Sequence, residues 1–182
     1  MEEYLINDQD LNNIIFKRSG KKYSIYNKNI YEKTYEKYTI KLENMLCRFG
    51  IEKYNSKKIV NLEFNEYKKN NKMLNQFNDI KQMDNFMKNI NLYNDSYILS
   101  DLEDKQYLSC LREKKNYNPL IRLHIKEKSK NILTNFTSRI DNVNLSDIKG
   151  RVCNVTFEIG DLWINEYNYG LILYITDIEV LI

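Results

Sequence analysis

The 182-residue sequence has little of what many enzymes carry. Alanine is absent, and there are one histidine, one proline, one tryptophan and five glycines. With His124 as the single histidine, a metal site built from several histidines is excluded. Neither a Gly-x-x-x-x-Gly-Lys-Ser/Thr loop nor a Gly-x-Gly-x-x-Gly segment occurs, so both nucleotide-binding fingerprints are missing. We therefore expect a protein that is not an enzyme and that uses no cofactor.

The cysteines and the hydropathy pattern indicate the cellular compartment of the protein. Cys47, Cys110 and Cys153 are odd in number, far apart and without the paired spacing of a zinc site. They predict reduced thiols in an intracellular protein. A Cys–His nucleophilic pair and a carboxylate metal site built from distant residues remain open alternatives. No apolar run approaches the roughly 20 residues of a membrane-spanning helix, and the acidic start does not fit a secretory signal.

Charge is unevenly distributed along the chain. Residues 141–182 carry two basic and seven acidic residues, whereas residues 1–140 carry 26 basic and 18 acidic residues. A positive body is suited to a polyanion, and the acidic end is a poor place for phosphate contacts. The alternative is a solvated, lysine-rich surface, because abundant Lys, Asn, Ile and Tyr are typical of an AT-rich genome.

Local patterns predict strands, then helices, then strands. Alternation predicts early strands at Asn12–Lys17, Lys22–Tyr26, Thr34–Leu46 and Lys57–Tyr67. Apolar residues recur every three or four positions from Lys72 to Leu92, which predicts an amphipathic helix. Ser100 and Glu103 fit a capping box, so a second helix is expected there within a helical insertion at about 72–116. Residues 1–182 then form one α+β domain, an OB-like antiparallel β-barrel with inserted helices.

The last segment, Lys149–Ile182, predicts a strand pair. Two runs of β-branched and aromatic residues flank a polar turn, and Trp163 ends the first run. We interpret Trp163 as a core or interface residue in preference to a platform for base stacking. Gly170 is expected to permit a positive φ or a bulge at the start of the last strand.

Basic and aromatic residues mark a candidate binding surface. In the predicted strand Leu120–Lys126, alternation directs Arg122, His124 and Lys126 to one face and the apolar residues to the other. Proteins that bind single strands combine such a basic face with rings on which bases stack. The alternatives are an ordinary solvent-exposed sheet face and, for Phe49, a place in the core. The candidate nucleic-acid-binding residues are Arg48, Phe49, Lys57, Lys58, Tyr117, Arg122, His124 and Lys126.

Several short motifs follow one another in a specific order. The middle of the chain contains a strand running into Phe49-Gly50, a strand, an amphipathic helix and Tyr117-Asn118-Pro119. The end contains, in order, Lys149-Gly150, Val152–Ile159, Trp163-Ile164, Tyr169-Gly170 and Ile178-Glu179-Val180. This order resembles the OB-fold single-stranded-DNA-binding proteins of large (nucleocytoplasmic) DNA viruses. The chain departs from that family where Glu43–Cys47 replaces the usual Thr-Pro before the Phe-Gly step.

The resemblance implies a function. A protein of this family would coat single-stranded DNA in replication, recombination or repair of a viral genome, in the host cytoplasm or nucleus, without catalysis. Whether RNA is also bound stays open, and an exposed final strand would allow a homodimer by edge pairing. The alternative is a structural or transcription-accessory interaction protein with the same barrel, since a fold does not fix a function.

Overall fold

A computed structural model describes residues 14–19, 22–29, 34–90, 102–129 and 131–182. Strands predominate in these ranges, together with the α-helix α1, Asn71–Lys88. This composition confirms the α+β prediction at the level of class. The strands are β1 (Ile14–Ser19), β2 (Lys22–Asn29), β3 (Thr34–Glu36), β4 (Thr39–Cys47), β5 (Ile51–Tyr54), β6 (Lys57–Glu63), β7 (Gln106–Leu108), β8 (Leu111–Arg112), β9 (Leu120–Ile125), β10 (Glu127–Lys128), β11 (Asn131–Ile132), β12 (Asn135–Ser138), β13 (Arg151–Ile164) and β14 (Asn168–Val180).

Five long strands form the centre of the sheet. β13 pairs with β4, β4 with β6, and β6 with β9, all antiparallel. β9 then pairs in parallel with β14, and β14 pairs antiparallel with β13. The sequence of pairings therefore returns to the strand from which it began. Shorter strands extend this arrangement, because β5 continues β6 as a hairpin and β8 lies beside β9.

The C-terminal strand pair predicted from the sequence is present. β13 and β14 run antiparallel over almost their whole length, with irregularities between Thr156 and Phe157 and, at a bulge, between Ile159 and Asp161. Gly160 lies at this bulge, where an added Cβ would stand 2.3 Å from the Tyr174 ring. On its other side β14 pairs with β7, β9 and β12. The final strand is therefore not a free edge, which removes the basis for the expected edge-paired homodimer.

Helix α1 covers the core with the stripe that its spacing predicts. The Asn70 side chain caps its start by accepting a hydrogen bond from the backbone N–H of Met73, at 3.2 Å. The buried residues of the helix are Met73, Phe77, Ile80, Met83, Asp84 and Met87. The Phe77 ring packs edge-on against Phe64 of the sheet, with centroids 5.4 Å apart. Within the described ranges, no helix is long and apolar enough to span a membrane.

The second predicted helix is wrong over its described part. Leu102 has helical backbone, but Leu108 and Leu111 lie in the short strands β7 and β8. The pairing of β7 with β14 and of β8 with β9 outweighs the local helical pattern, because these strands add hydrogen bonds to an existing sheet. Ser100, and with it the predicted cap, lies outside the described residues.

Two motifs that are far apart in the sequence meet in the structure. Gly50, of the Phe-Gly step, has a φ of 75°, and an added Cβ would stand 3.0 Å from the Cβ of Lys149. Gly150 also has a φ of 75°, and its backbone N–H donates to the carbonyl of Cys47 at 2.7 Å. Both positions favour glycine because their backbone is left-handed. The Phe-Gly and Lys-Gly turns thus connect the end of β4 to the start of β13.

Candidate nucleic-acid interface

The outer face of β9 carries the predicted basic residues. Ile121, Leu123 and Ile125 are buried, whereas Arg122 and His124 are half-buried on the opposite face. Antiparallel pairing sets Asn61 of β6 opposite Arg122 and Ile59 opposite His124. Residues directly opposite each other share a face, so the outer faces of β6 and β9 form one surface, in which Ile59 and Asn61 are buried and Arg122 and His124 are half-buried.

A groove with a volume of about 540 Å³ runs over this surface. Its residues come from β5, β6, β7, β8, β9, β13, β14 and the adjoining turns. They are Tyr54, Asn55, Lys57, Leu108, Ser109, Cys110, Arg112, Arg122, His124, Trp163, Asn165, Leu171 and Ile172. No acidic residue lines the groove in the part of the chain that the structure describes, so its charged groups are all basic.

The Arg122 guanidinium lies over an aromatic ring. Its central carbon is 4.3 Å from the centroid of the Tyr54 ring, a cation–π geometry. Its Nε also donates to the Asn61 side-chain oxygen at 3.5 Å, and the Asn61 amide in turn donates to Glu52. The carboxylate of this network, that of Glu52, contacts Asn61 and not Arg122. Arg122 makes no ion pair with any described residue. Arg122 thus keeps an uncompensated charge at the groove.

Trp163 is a wall of the groove. Gly170 lies opposite Trp163 in the strand pair, and an added Cβ there would stand 3.0 Å from the indole Nε1. Gly170 is therefore needed for the close approach of the indole. Its φ is not positive and the pairing register is regular there, so neither the positive φ nor the bulge expected at Gly170 is present. Trp163 is half-buried and does not belong to the hydrophobic core, so its interpretation as a core residue is wrong, while its interpretation as an interface residue stays a prediction. An indole at the rim of a groove is available for stacking.

His124 is half-buried between the groove and Tyr174. The two ring centroids are 6.2 Å apart, with the rings nearly perpendicular. Burial lowers the pKa of His124 below its ordinary 6.5, and the positive charges of Lys22 and Lys57 lower the same pKa further. The imidazole is therefore neutral at pH 7.

A buried carboxylate on helix α1 holds another wall in place. Asp84 accepts hydrogen bonds from the Tyr107 hydroxyl at 2.7 Å, from the Ser109 hydroxyl and from the Cys110 backbone N–H at 3.1 Å. These donors belong to β7 and the turn that follows it. The network fixes the turn that leads into Arg112, whose exposed side chain lines the groove.

Two other predicted lysines are held in ion pairs. Lys58 Nζ lies 2.7 Å from the Glu127 carboxylate, and Lys126 Nζ lies 2.9 Å from the Glu158 carboxylate. Lys57, by contrast, makes no ion pair with any described residue. Neither Lys58 nor Lys126 lines the groove. Adjacent lysines in the sequence therefore have different electrostatic surroundings.

Three of the predicted nucleic-acid-binding residues, Arg48, Phe49 and Tyr117, lie outside the groove. Arg48 forms a two-point contact with the buried Glu63 carboxylate, in which Nη2 donates to Oε1 at 2.8 Å. Asn118 donates to the same oxygen at 2.8 Å, and Arg48 lowers the pKa of Glu63. Phe49 and Tyr117 are 45% and 76% exposed, so Phe49 is not a core residue. None of these residues lines the groove.

The groove does not have the chemistry of a nucleophilic site. Cys110 and His124 both line it, but the Cys110 thiol donates to Asp84 at 3.2 Å. Burial and the Asp84 carboxylate raise the pKa of Cys110 well above its ordinary value, which disfavours the reactive thiolate. In the described ranges, no group of three or more His, Cys, Asp or Glu side chains could hold a metal ion.

Sequence reasoning overlooked the aromatic and basic partners Tyr54 and Arg112. For Tyr54 a usable pattern was present, because Asn55 and Ser56 separate two strand-like runs. Both have positive φ, as a two-residue hairpin turn requires, and the turn sets Tyr54 opposite Lys57. Arg112 gave no comparable pattern, because its strand has two residues.

Comparisons with known proteins found no likeness in sequence but a likeness in structure. No protein-family model matches the chain, and no curated protein matches its sequence. Among solved structures, the chain is similar to gp2.5, a single-stranded DNA binding protein encoded by bacteriophage T7. The superposition has a TM-score of 0.47 and a sequence identity of 7%, and it covers 80% of this chain and 86% of that one.

Proposed function

We propose that this protein binds single-stranded DNA along the groove over β6 and β9, without catalysis. The observation that carries the proposal is the composition of the groove, which combines aromatic rings and cations with no acidic side chain among the described residues. The circuit of five strand pairings supports an OB-like barrel, a fold whose outer sheet face binds oligonucleotides.

The groove offers both parts of single-strand recognition. Lys57, Arg112 and Arg122 neutralise phosphates, and Trp163 and Tyr54 offer rings for unpaired bases. Stacking tolerates any base because every base has a π-face, so we expect little sequence preference. The phosphate contacts make the affinity fall with salt.

The biological role that we propose is the coating of single-stranded DNA in replication, recombination or repair. The motif order described above supports a viral genome as the setting, with action in the host cytoplasm or nucleus. Coating requires a protein that binds any base sequence and does not alter the DNA chemically. A groove with basic walls and stacking rings is suited to that task.

Fluorescence anisotropy with a labelled oligo-dT at two salt concentrations tests the proposal. We expect binding at low salt and a linear decrease of log affinity with log salt, with a slope of about −0.7 for each phosphate contact. A duplex competitor and an oligo-U competitor measure the preference for single strands and for DNA over RNA. Absence of binding to oligo-dT at low salt would refute the proposal, and stronger competition by oligo-U would reassign it to RNA.

A further inference from the structure

The N-terminal strands extend the face that carries Trp163. β2 pairs with β13 so that Lys22 lies opposite Trp163 and Ser24 lies opposite Asp161. In β1, Lys17 lies opposite Ser24. Because directly opposite residues share a face, Lys17 and Lys22 lie on the same side of the sheet as the indole.

The other face of this hairpin is buried. Tyr23 and Ile25 are almost inaccessible and belong to the hydrophobic core. Side chains alternate along a strand, so the face with Lys22, Ser24 and Tyr26 is directed away from the core. The hairpin is therefore anchored on one side and open on the side that continues the groove.

A third lysine is fixed on this open face. Lys37 Nζ donates to the backbone carbonyls of Gly160 at 2.8 Å and Ile25 at 3.0 Å. The same Nζ lies 4.1 Å from the centroid of the Tyr26 ring, and Lys17 Nζ lies 5.3 Å from it. Tyr26 thus holds two ammonium groups near one another by cation–π contacts.

Among the described residues of this face, the lysines outnumber the carboxylates. The Asp161 carboxylate accepts a hydrogen bond from Ser24 Oγ at 2.9 Å and lies 3.8 Å from Lys22 Nζ. Lys22 and Lys37 thus lie near Asp161, which already has a neutral donor, and Lys17 adds a third ammonium group beside Tyr26. Lys22 keeps 49% of its side chain exposed, so its charge remains accessible to a polyanion.

We infer that this N-terminal face, formed by Lys17, Lys22, Tyr26 and Lys37, is a second contact surface for the same single-stranded DNA. The strand leaves the groove beside Trp163, crosses Lys22 and reaches Tyr26, on the order of 13 Å further along β2. The inference rests on the proposed function and adds a direction to it. Lysines contact phosphates there, and bases stack only in the groove.

Oligonucleotide length separates the two surfaces in an experiment. Anisotropy is measured with oligo-dT of about 5 and about 15 nucleotides, both within the range that one OB fold covers. The variant is Lys17→Ala/Lys22→Ala. Its control is Lys68→Ala/Lys69→Ala, which removes the same charge from the turn before α1, outside the groove.

We expect the hairpin variant to bind the longer oligonucleotide about threefold to tenfold more weakly, with a salt slope smaller by about 1.4. Its affinity for the short oligonucleotide stays within about twofold of the unsubstituted protein, which also shows that the fold is intact. An unchanged affinity for the longer oligonucleotide would overturn the inference. Equal losses for both lengths, or an equal loss in the control, would also overturn it.

The two proposals fail in different ways. If the unsubstituted protein binds neither oligonucleotide at low salt, the proposed function fails and the second surface fails with it. If it binds both lengths and the hairpin variant matches it throughout, the groove remains and only the second surface is refuted.

Discussion

The cations of the groove and the cations around it look alike in the sequence but differ in the fold. Lys57 and Arg122 line a groove that has no acidic residue among those the structure describes, whereas Lys58 and Lys126 contact Glu127 and Glu158. Arg48 is likewise held by the buried Glu63. A cation held by a carboxylate at 2.7–2.9 Å must lose that contact before it can bind a phosphate, whereas Lys22 lies 3.8 Å from Asp161 and is 49% exposed.

The aromatic rings inside and outside the groove differ in the same way. Trp163 and Tyr54 lie at the groove beside cations, whereas Tyr117 is more exposed than either but lines no part of it. Exposure alone therefore does not mark a base-stacking ring. The surrounding concavity and charge do, because stacking in single-strand binders acts together with phosphate contacts.

The largest effect on binding is expected from the indole. Trp163→Ala should weaken oligo-dT binding by about 1–3 kcal/mol, or about 5-fold to 150-fold, because a stacked base loses its platform. Anisotropy measures this change, and Tyr117→Ala is the control, with no expected change. An equal loss in both variants would break the distinction between the groove and the exposed ring.

A smaller effect should separate two adjacent lysines. Lys57→Ala should lower the salt slope by about 0.7 and weaken binding severalfold, because one phosphate contact is lost. Lys58→Ala should leave both quantities nearly unchanged, since Lys58 is paired with Glu127. Salt titrations of the two variants make the comparison, and a larger loss for Lys58→Ala would contradict it.

The pH dependence of binding should sharpen the role of His124. Its pKa is lowered below 6.5, so protonation on acidification adds a positive charge at the groove. Affinity for oligo-dT should therefore rise as the pH falls below about 6.5, and His124→Gln should abolish the rise. In the absence of DNA, acidification has the opposite effect, because it destabilises the folded protein. The unfolded state takes up the proton more readily, so the free energy of unfolding falls over the same range.

The smallest effect on binding is expected at Glu63. Its pKa is lowered from 4.5, chiefly by the hydrogen bond from Arg48, so its stabilising contribution is complete above that pH and is lost as the pH falls further. Glu63→Gln should reduce this acid sensitivity in denaturant titrations while oligo-dT affinity at pH 7 stays unchanged. A marked rise in affinity would instead show that the released Arg48 contacts DNA.

Parts of the fold follow directly from local pattern. The period of helix α1, the alternation of β9 and the turn between β13 and β14 are all readable from neighbouring residues. The segment after α1 is different, because its helical pattern gives way to β7 and β8 where strands of the sheet offer hydrogen bonds. A local sequence pattern does not show whether a distant strand has a free edge with which the segment can pair.

The sequence by itself determined the class of the fold, the strand pair at the end and the basic face of β9. These depend on periodicity, which neighbouring side chains impose through burial. Only the tertiary structure decided which cations are paired and which rings border the groove. Glu127 reaches Lys58, and Gly170 admits Trp163, through contacts between residues that the chain folds together. Such pairings depend on distances in space, which the order of residues does not state.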